Sequence, residues 1–334
     1  MNFCILILLY SKKWYPFFYT FAPLFSLYKI VGMLIFHSVT LDDQNRLGDK
    51  LNSLNCNLLN YSFVVQFLYR NVIHFSYATY KDFYISKIQI NQKDYFLFPV
   101  GEGSYHEVFE EIKKYAFVHQ DKLRFFQFCA HNSEKLLEWA ETLKGEGCSY
   151  VFYPSEDEFE YIYLTESLAH LKGSALKPKR NHIHYFEKNY RWSYEKITLK
   201  HIPELRKFNA LWNEEKQIGA SSRLNLENQA LEEAFQYYIQ LDLNGILLKV
   251  EQELVAFSIG APLNDDTYLV LFEKADRKVR GSYAMINKLF AQIVATGYSY
   301  INRAEDGGIE GLRKAKKSYM PDYMNEVYHL TIFK

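Results

Sequence analysis

From Met33 onward one order of elements occurs twice, and that recurrence limits the fold more than anything else in the chain. The first occurrence reads as strand "LIFHSV", helices "LDDQNRLGDKLNSL" and "NYSFVVQFLYRN", then strands "IHFSYATY", "FYISKIQI" and "DYFLFPV". Helix "YHEVFEEIKKYAFV", strand "LRFFQF", helix "NSEKLLEWAETL" and strands "SYVFYP" and "EYIYL" complete it. The second runs through strand "SYEKITLK", helices "HIPELRKFNALWNEEK" and "LENQALEEAFQYYIQL", and strands "GILLKV", "ELVAFSIGA" and "TYLVLFEKA". Helix "SYAMINKLFAQIVATG", strand "YSYINR", helix "GIEGLRKAKKSY" and strand "NEVYHLTIF" follow. Ile202, Leu205, Phe208 and Leu211/Trp212 recur at helical spacing, and the short turn at Glu251 to Glu253 makes its flanking strands antiparallel. Repetition on this scale predicts two copies of one α/β domain, 33–164 and 191–334, each a mixed, mostly antiparallel sheet flanked by helices. A chain of 334 residues with 49% hydrophobic content can fill two cores.

Residues 165–190 fall between the copies. Gly173 and Pro178 break this stretch, and we read it as a connector with helical parts. It is basic: Lys172, Lys177, Lys179 and Arg180 precede Lys188 and Arg191, although the whole chain carries 39 Lys+Arg against 39 Asp+Glu. With Pro178 opening a helix, Lys179, His182, Phe186 and Asn189 share one stripe. The local charge reads either as a solvated face or as a contact for a polyanion, such as a tRNA or an anionic lipid headgroup. His182 and His184 lie two apart, so on a helix they do not face one another, and no metal is expected.

Residues 1–32 differ in character. The apolar run "FCILILLY" is followed by "SKKWYP", so the cations come after the run and not before it, and Lys12, Lys13, Pro16 and Pro23 interrupt any span. The leading expectation is a start assigned too early, with Met33 the native beginning; a membrane-associated hairpin is the alternative. Four cysteines without a CxxC pair fit a reducing cytoplasm, with peripheral membrane contact as a further expectation.

Strand, two helices, a three-strand meander, helix, strand, helix, strand resembles the GNAT acyltransferase fold. At the level of motifs, "HLKGSALKPKRNHIHYFEKNY" and "YINRAEDGGIEGLRKAKKSYMP" resemble a bacterial family of unknown function grouped with the C-terminal domain of phosphatidylglycerol lysyltransferases, tandem GNAT proteins related to Fem-type aminoacyltransferases. That resemblance implies direct transfer of an acyl or aminoacyl group, with acyl-coenzyme A or aminoacyl-tRNA as donor and an amine or hydroxyl as acceptor. It also implies a wedge between the fourth and fifth strands that holds the donor, and a phosphate loop at the next helix N-terminus.

In this sequence the loop is Lys278-Val279-Arg280-Gly281-Ser282-Tyr283. Tyr283 stands where GNAT loops carry a small residue, so coenzyme A is not the assured donor, and Gly281 serves equally as a simple turn residue. The first copy offers "VGEGSYHEVF", where Glu102 and Glu107 would repel a pyrophosphate. Glu273 ends "VLFEKA" beside the wedge and reads as the general base, or else as a partner of Lys274, Arg277 or Arg280. Tyr319 is the candidate proton donor or a packing aromatic. Asn302, Arg303, Glu305 and Asp306 sit at the end of the fifth strand before two glycines; Asp306 reads as a site residue or as a helix N-cap. Arg313, Lys316 and Lys317 are spaced to make a phosphate-facing surface. Two functions therefore compete: an acyl- or aminoacyltransferase, and a non-catalytic GNAT-fold protein that binds a polyanion such as RNA or anionic lipid.

Overall fold

The computed structural model describes residues 34–54, 56–215 and 223–334, so the expectations for residues 1–32 lie outside the described residues. The chain forms two units. The first takes in residues 34–54, Tyr69–Pro154 and Tyr328–Lys334; the second takes in residues 56–68 and Ser155–Val327.

The elements are, in order, β1 (His37–Ser38), α1 (Gln44–Asn52), α2 (Phe63–Tyr69), β2 (Ser76–Tyr80), β3 (Phe83–Ile90), β4 (Lys93–Phe96), α3 (Tyr105–His119), β5 (Lys122–Phe128), α4 (Ala130–Thr142) and β6 (Ser149–Pro154). Next come β7 (Glu160–Leu164), α5 (Thr165–His170), α6 (Lys177–Asn189), β8 (Trp192–Lys196), α7 (Ile202–Glu215), α8 (Arg223–Gln236), β9 (Asn244–Val250), β10 (Glu253–Pro262) and β11 (Thr267–Ala275). The chain ends with α9 (Ser282–Leu289), β12 (Tyr300–Asn302), α10 (Glu310–Lys317), β13 (Tyr323–Asn325) and β14 (Tyr328–Phe333).

Local chemistry accounts for several of these. Pro178 opens α6, where its missing N–H costs nothing. Glu251 and Gln252 both adopt positive φ, 48° and 72°, as the two-residue turn between β9 and β10 requires. All nine residues of β11 are buried, which marks it as a strand covered on both faces.

Two seven-stranded sheets result, ordered β1-β2-β3-β4-β5-β14-β6 and, in mirrored listing, β8-β9-β10-β11-β12-β7-β13. In both, the fourth and fifth strands are parallel and the other pairs antiparallel. These are two GNAT-like sheets, each flanked by helices. The expected boundaries require correction in one respect, because each sheet takes one strand from the other copy. β7, expected to end the first copy at Leu164, lies between β12 and β13, with Ile301 opposite Tyr163 and Tyr323 opposite Ile162. β14, expected to end the second copy, lies between β5 and β6, with Leu330 opposite Phe125 and Phe152. Nor is 165–190 merely a connector: α5 and α6 belong to the second unit, and Leu168, Ile183 and Phe186 join its core.

The exchange makes the last residues essential to the first sheet. Deleting Tyr328–Lys334 leaves facing edges of β5 and β6 unpaired, and the shortened chain is expected to lose solubility and its cooperative melt. In the full chain Ile332, 1% exposed, gives a milder test: Ile332→Ala should cost roughly 2–5 kcal/mol in urea unfolding. A truncated protein that melts like the intact one would refute the role given to β14.

Candidate functional site: the wedge beside β12

β12 pairs with β11 over three residues only, Tyr300–Asn302 against Thr267–Leu269, while β11 runs on to Ala275. Where the two strands part, Arg303 turns inward and its Nη2 donates to Glu273 Oε1 at 2.9 Å; the side chains are 6% and 1% exposed. The Asn287 amide, oriented with its oxygen toward the guanidinium, accepts from Nε at 3.3 Å and Nη1 at 3.2 Å. The guanidinium also lies 5.6 Å from the ring centre of Tyr163 and 5.0 Å from that of Tyr319. Burial alone disfavours its charge, but Glu273 more than compensates and the Arg303 pKa is raised. Glu273 Oε2 is buried and has no hydrogen-bond partner among the described residues. Glu273, Arg303, Tyr319, Lys179, Arg277 and Tyr283 contribute to the wall of a cavity of about 440 Å³.

An adjoining cavity of about 320 Å³ shares Lys179, Arg277, Tyr283 and Tyr319 and is completed by the 278–283 loop and His182. Gly281 is required here, since at φ 94° a Cβ would sit 2.5 Å from His182 O and 3.0 Å from Phe186 Cβ. Helix α6 is thus pressed against the loop and forms a wall of the site. Arg280 stacks 4.2 Å from the Tyr185 ring centre, and the Lys179 ammonium lies 3.9 Å from that of Tyr319. Burial, and then the charge of Arg303, pushes Lys179 down to about 8. His182 is lowered by burial, Lys179 and Arg280. Burial pushes the Tyr319 phenol up to about 12, with Arg303 opposing and Glu273 adding to the shift.

The polar residues around Arg303 are engaged in a different task. Asn302 Nδ2 donates to Glu160 Oε2 at 2.5 Å and to Asn57 O at 2.9 Å, while its Oδ1 accepts from Ala304 N at 2.7 Å. Asp306 accepts from Tyr161 Oη at 2.6 Å, Arg313 Nε at 2.8 Å and Gly308 N at 2.9 Å. Burial opposes its ionisation, but these donors hold it below the usual carboxylate range. It is not the N-cap of α10, which Ile309 precedes; it closes the turn before that helix. Arg313 also bridges Asp157 at 2.6 Å, and Lys316 is buried, donating to the carbonyls of Arg303, Ala304 and Glu305 at 2.6, 3.0 and 2.5 Å. Glu305 is likewise buried. Asn302, Glu305, Asp306 and Arg313 line neither cavity, so the expected chemistry of this cluster narrows to Arg303.

Other expectations divide in the same way. Lys278 bridges Glu215 and lies outside the second cavity, whereas Arg280, Gly281 and Ser282 line it, the Ser282 hydroxyl donating to Asp276 O at 2.7 Å. Arg180 donates to the carbonyls of Leu171 and Gly173 and so fixes the bend between α5 and α6. Lys172, Lys177 and Lys317 are exposed and line neither cavity; of the connector cations only Lys179 does. Glu273 pairs with none of its expected partners. Lys274 faces the other side of β11, where it meets Glu227 at 3.3 Å. Sequence reading missed Tyr163 and Asn287 as neighbours of Arg303 and gave Arg277 and Tyr283 no site role. The period-2 alternation of β7 was the available signal for Tyr163, but it does not say which sheet the strand joins.

Glu160 was also missed. It is buried, accepts from Leu59 N at 3.1 Å, and is pushed up to about 8, chiefly by burial with Asn302 opposing and the charge of Glu305 adding to the shift. Its folded pKa exceeds the unfolded value, so the proton it retains contributes stability below the unfolded value of about 4.3, and that contribution is lost as pH rises through about 8. Glu160→Gln should accordingly flatten the decline of stability between pH 5 and about pH 8, read by urea unfolding at several pH values. An unchanged pH profile would contradict a protonated Glu160.

Known proteins share this fold. The profile of the family described as phosphatidylglycerol lysyltransferase, C-terminal, matches residues 57–331. A conserved protein of unknown function from Bacteroides thetaiotaomicron VPI-5482 is 31% identical, with a TM-score of 0.83 over 90% of this chain and 100% of that one. The C-terminal domain of a putative lysylphosphatidylglycerol synthetase from Agrobacterium fabrum shares the fold, at 13% identity and TM-score 0.63 over 87% and 91% of the two chains. L-PGS from Bacillus licheniformis does so at 17% identity and TM-score 0.59, over 86% and 91%. The uncharacterized protein MYCGA3080 of Mycoplasmoides gallisepticum is 25% identical over 177 residues, 52% of this chain and 56% of that protein's length. With the profile spanning residues 57–331, this chain belongs to the phosphatidylglycerol lysyltransferase C-terminal family, a lysyltransferase- and GNAT-like acyltransferase family.

Proposed function

We propose that the second unit transfers an acyl or aminoacyl group from an activated ester or thioester to an amine or hydroxyl acceptor, with the reacting carbonyl in the wedge. The observation that carries this reading is the buried Glu273–Arg303 pair: the second carboxylate oxygen has no partner among the described residues, and both residues contribute to a cavity wall. Arg303 fixes the carboxylate, and Oε2 takes the proton from the acceptor nitrogen or oxygen as that atom attacks the carbonyl carbon. Tyr319, which keeps its phenolic proton at neutral pH, returns a proton to the departing oxygen or sulfur. Lys179, Arg277 and Arg280 supply the positive charge that a phosphate-bearing donor needs. Tyr283 fills the place of a small residue and lines both cavities, which favours an aminoacyl-tRNA ester over coenzyme A as donor.

The test is incubation with aminoacyl-tRNAs and with acyl-coenzyme A thioesters, each with amine and hydroxyl acceptors, followed by mass spectrometry. Glu273→Gln keeps the shape and an acceptor for Arg303, and should slow transfer by 10²–10⁴-fold, about 3–5 kcal/mol of barrier, with the fold monitored by circular dichroism. A folded variant whose rate stays within about twofold would remove Glu273 from the base role. Salt-sensitive binding of tRNA or anionic vesicles, weakened by Arg280→Glu but accompanied by no transfer from any donor, would instead favour the non-catalytic reading.

A further inference from the structure

Among the described residues three lysines are buried and each is compensated, whereas half-buried Lys179, in the cavity wall, is not. Lys87 meets Asp94 at 3.1 Å and the Tyr115 hydroxyl at 2.9 Å. Lys274 has Glu227, Asn209 and Asn228. Lys316 has three carbonyls. Half-buried Lys179 has the face of Tyr319 at 3.9 Å, and no carboxylate or hydrogen-bond acceptor within contact distance among the described residues. Around it stand Arg303, Arg277, Arg280, His182 and the Tyr319 phenol; the one carboxylate in the walls of the two cavities is Glu273, already paired with Arg303. An ammonium placed among cations without a counter-charge is stabilised by losing its proton.

We infer that Lys179 is an acyl-accepting side chain, a self-modification site that takes the acyl group from an activated ester or thioester held in the wedge. This deepens the transferase reading and rests on it for the identity of the cavity's occupant. In the step, the neutral Nζ attacks the carbonyl carbon, a C–N bond forms, and the C–O or C–S bond of the donor breaks. Nζ gives up one proton, the departing alcohol or thiol gains one, and the product is a neutral amide on Lys179. With a pKa pushed down to about 8, about one-tenth of Lys179 is neutral at pH 7, against well under about one in a thousand of an ordinary lysine. The amide would remove a cation shared by both cavities, so a modified molecule would hold phosphates less well than an unmodified one.

The experiment uses the full chain and a small activated ester, the N-hydroxysuccinimide ester of acetate, below stoichiometry, with peptide mass mapping across pH 6–10. Lys179 should acetylate at least about tenfold faster than exposed Lys172 and Lys177 at pH 7, and its rate should level off above about pH 8 while theirs keep rising. The Lys179→Arg variant, which keeps the charge, should lose that fast-reacting site and no other. Equal rates at the three lysines, or a Lys179 rate still rising at pH 10, overturns the inference. The reagent needs no donor recognition, so the two readings fail separately. Transfer by a protein whose Lys179 is unreactive overturns this inference alone, whereas a fast-reacting Lys179 in a protein that transfers nothing overturns the transferase reading alone.

Discussion

An ammonium bound by three successive carbonyls holds the functional half of this molecule in shape. After β12 the chain passes through Ala304, at φ 55°, and the carbonyls of residues 303–305 converge on the Lys316 ammonium. Left unpaired in a buried site, each would cost on the order of 1–3 kcal/mol. Lys316 donates to all three, the Ala304 carbonyl also accepting from Tyr161 N at 3.2 Å, and in doing so ties the strand end to α10. The direction of Arg303 follows from that local conformation, the orientation of Glu273 follows from Arg303, and the cavity is what remains between them. Asn302, Glu160, Asp306 and Arg313 reinforce the same turn from its flanks.

Much of this was legible in the sequence, and the failures have definite causes. Period and turn chemistry gave the order of elements in both copies, because amphipathic patterning is a local property. Partner choice is not local. Strands β7 and β14 carry ordinary buried-strand patterns, and nothing in their own residues says that each completes the other copy's sheet. That Glu273 and Tyr319 lie in the cavity wall could be read because a strand end and a helix end beside the wedge are positions that can be counted from the pattern. Asn302, Glu305 and Asp306 looked like chemistry for the same reason that they serve structure: a chain reversing in a buried place needs polar side chains to satisfy its backbone. Lys316 was hidden among neighbouring lysines, since a stripe of cations gives no sign of which member turns inward.

The two copies keep a common frame and fill it unequally. In the first, the loop corresponding to 278–283 carries Glu102 and Glu107, and these are drawn to local partners: Glu107 to Lys81, and the Glu102 backbone N–H to Asp82 at 2.9 Å. Gly101 there packs so closely on the β2–β3 turn that a Cβ would lie 2.6 Å from Asp82 O. In the second copy Gly281 is packed against α6, which carries Lys179 and His182 to the cavity. One architecture has thus been spent on support in one half and on a charged pocket in the other.

The reciprocal placement of β7 and β14 has a consequence for the order in which the protein can be made. A ribosome releases β7 before either of the strands it pairs with exists, and releases β14 only after the second copy. While the rest of the second copy is synthesised, β5 and β6 present facing edges with a strand's width between them. The first copy therefore cannot complete its fold as an independent N-terminal domain, and its slowest contact spans most of the chain. Nascent chains of this protein should depend on chaperones that mask strand edges until β14 has emerged, a demand that two copies with self-contained sheets would not make.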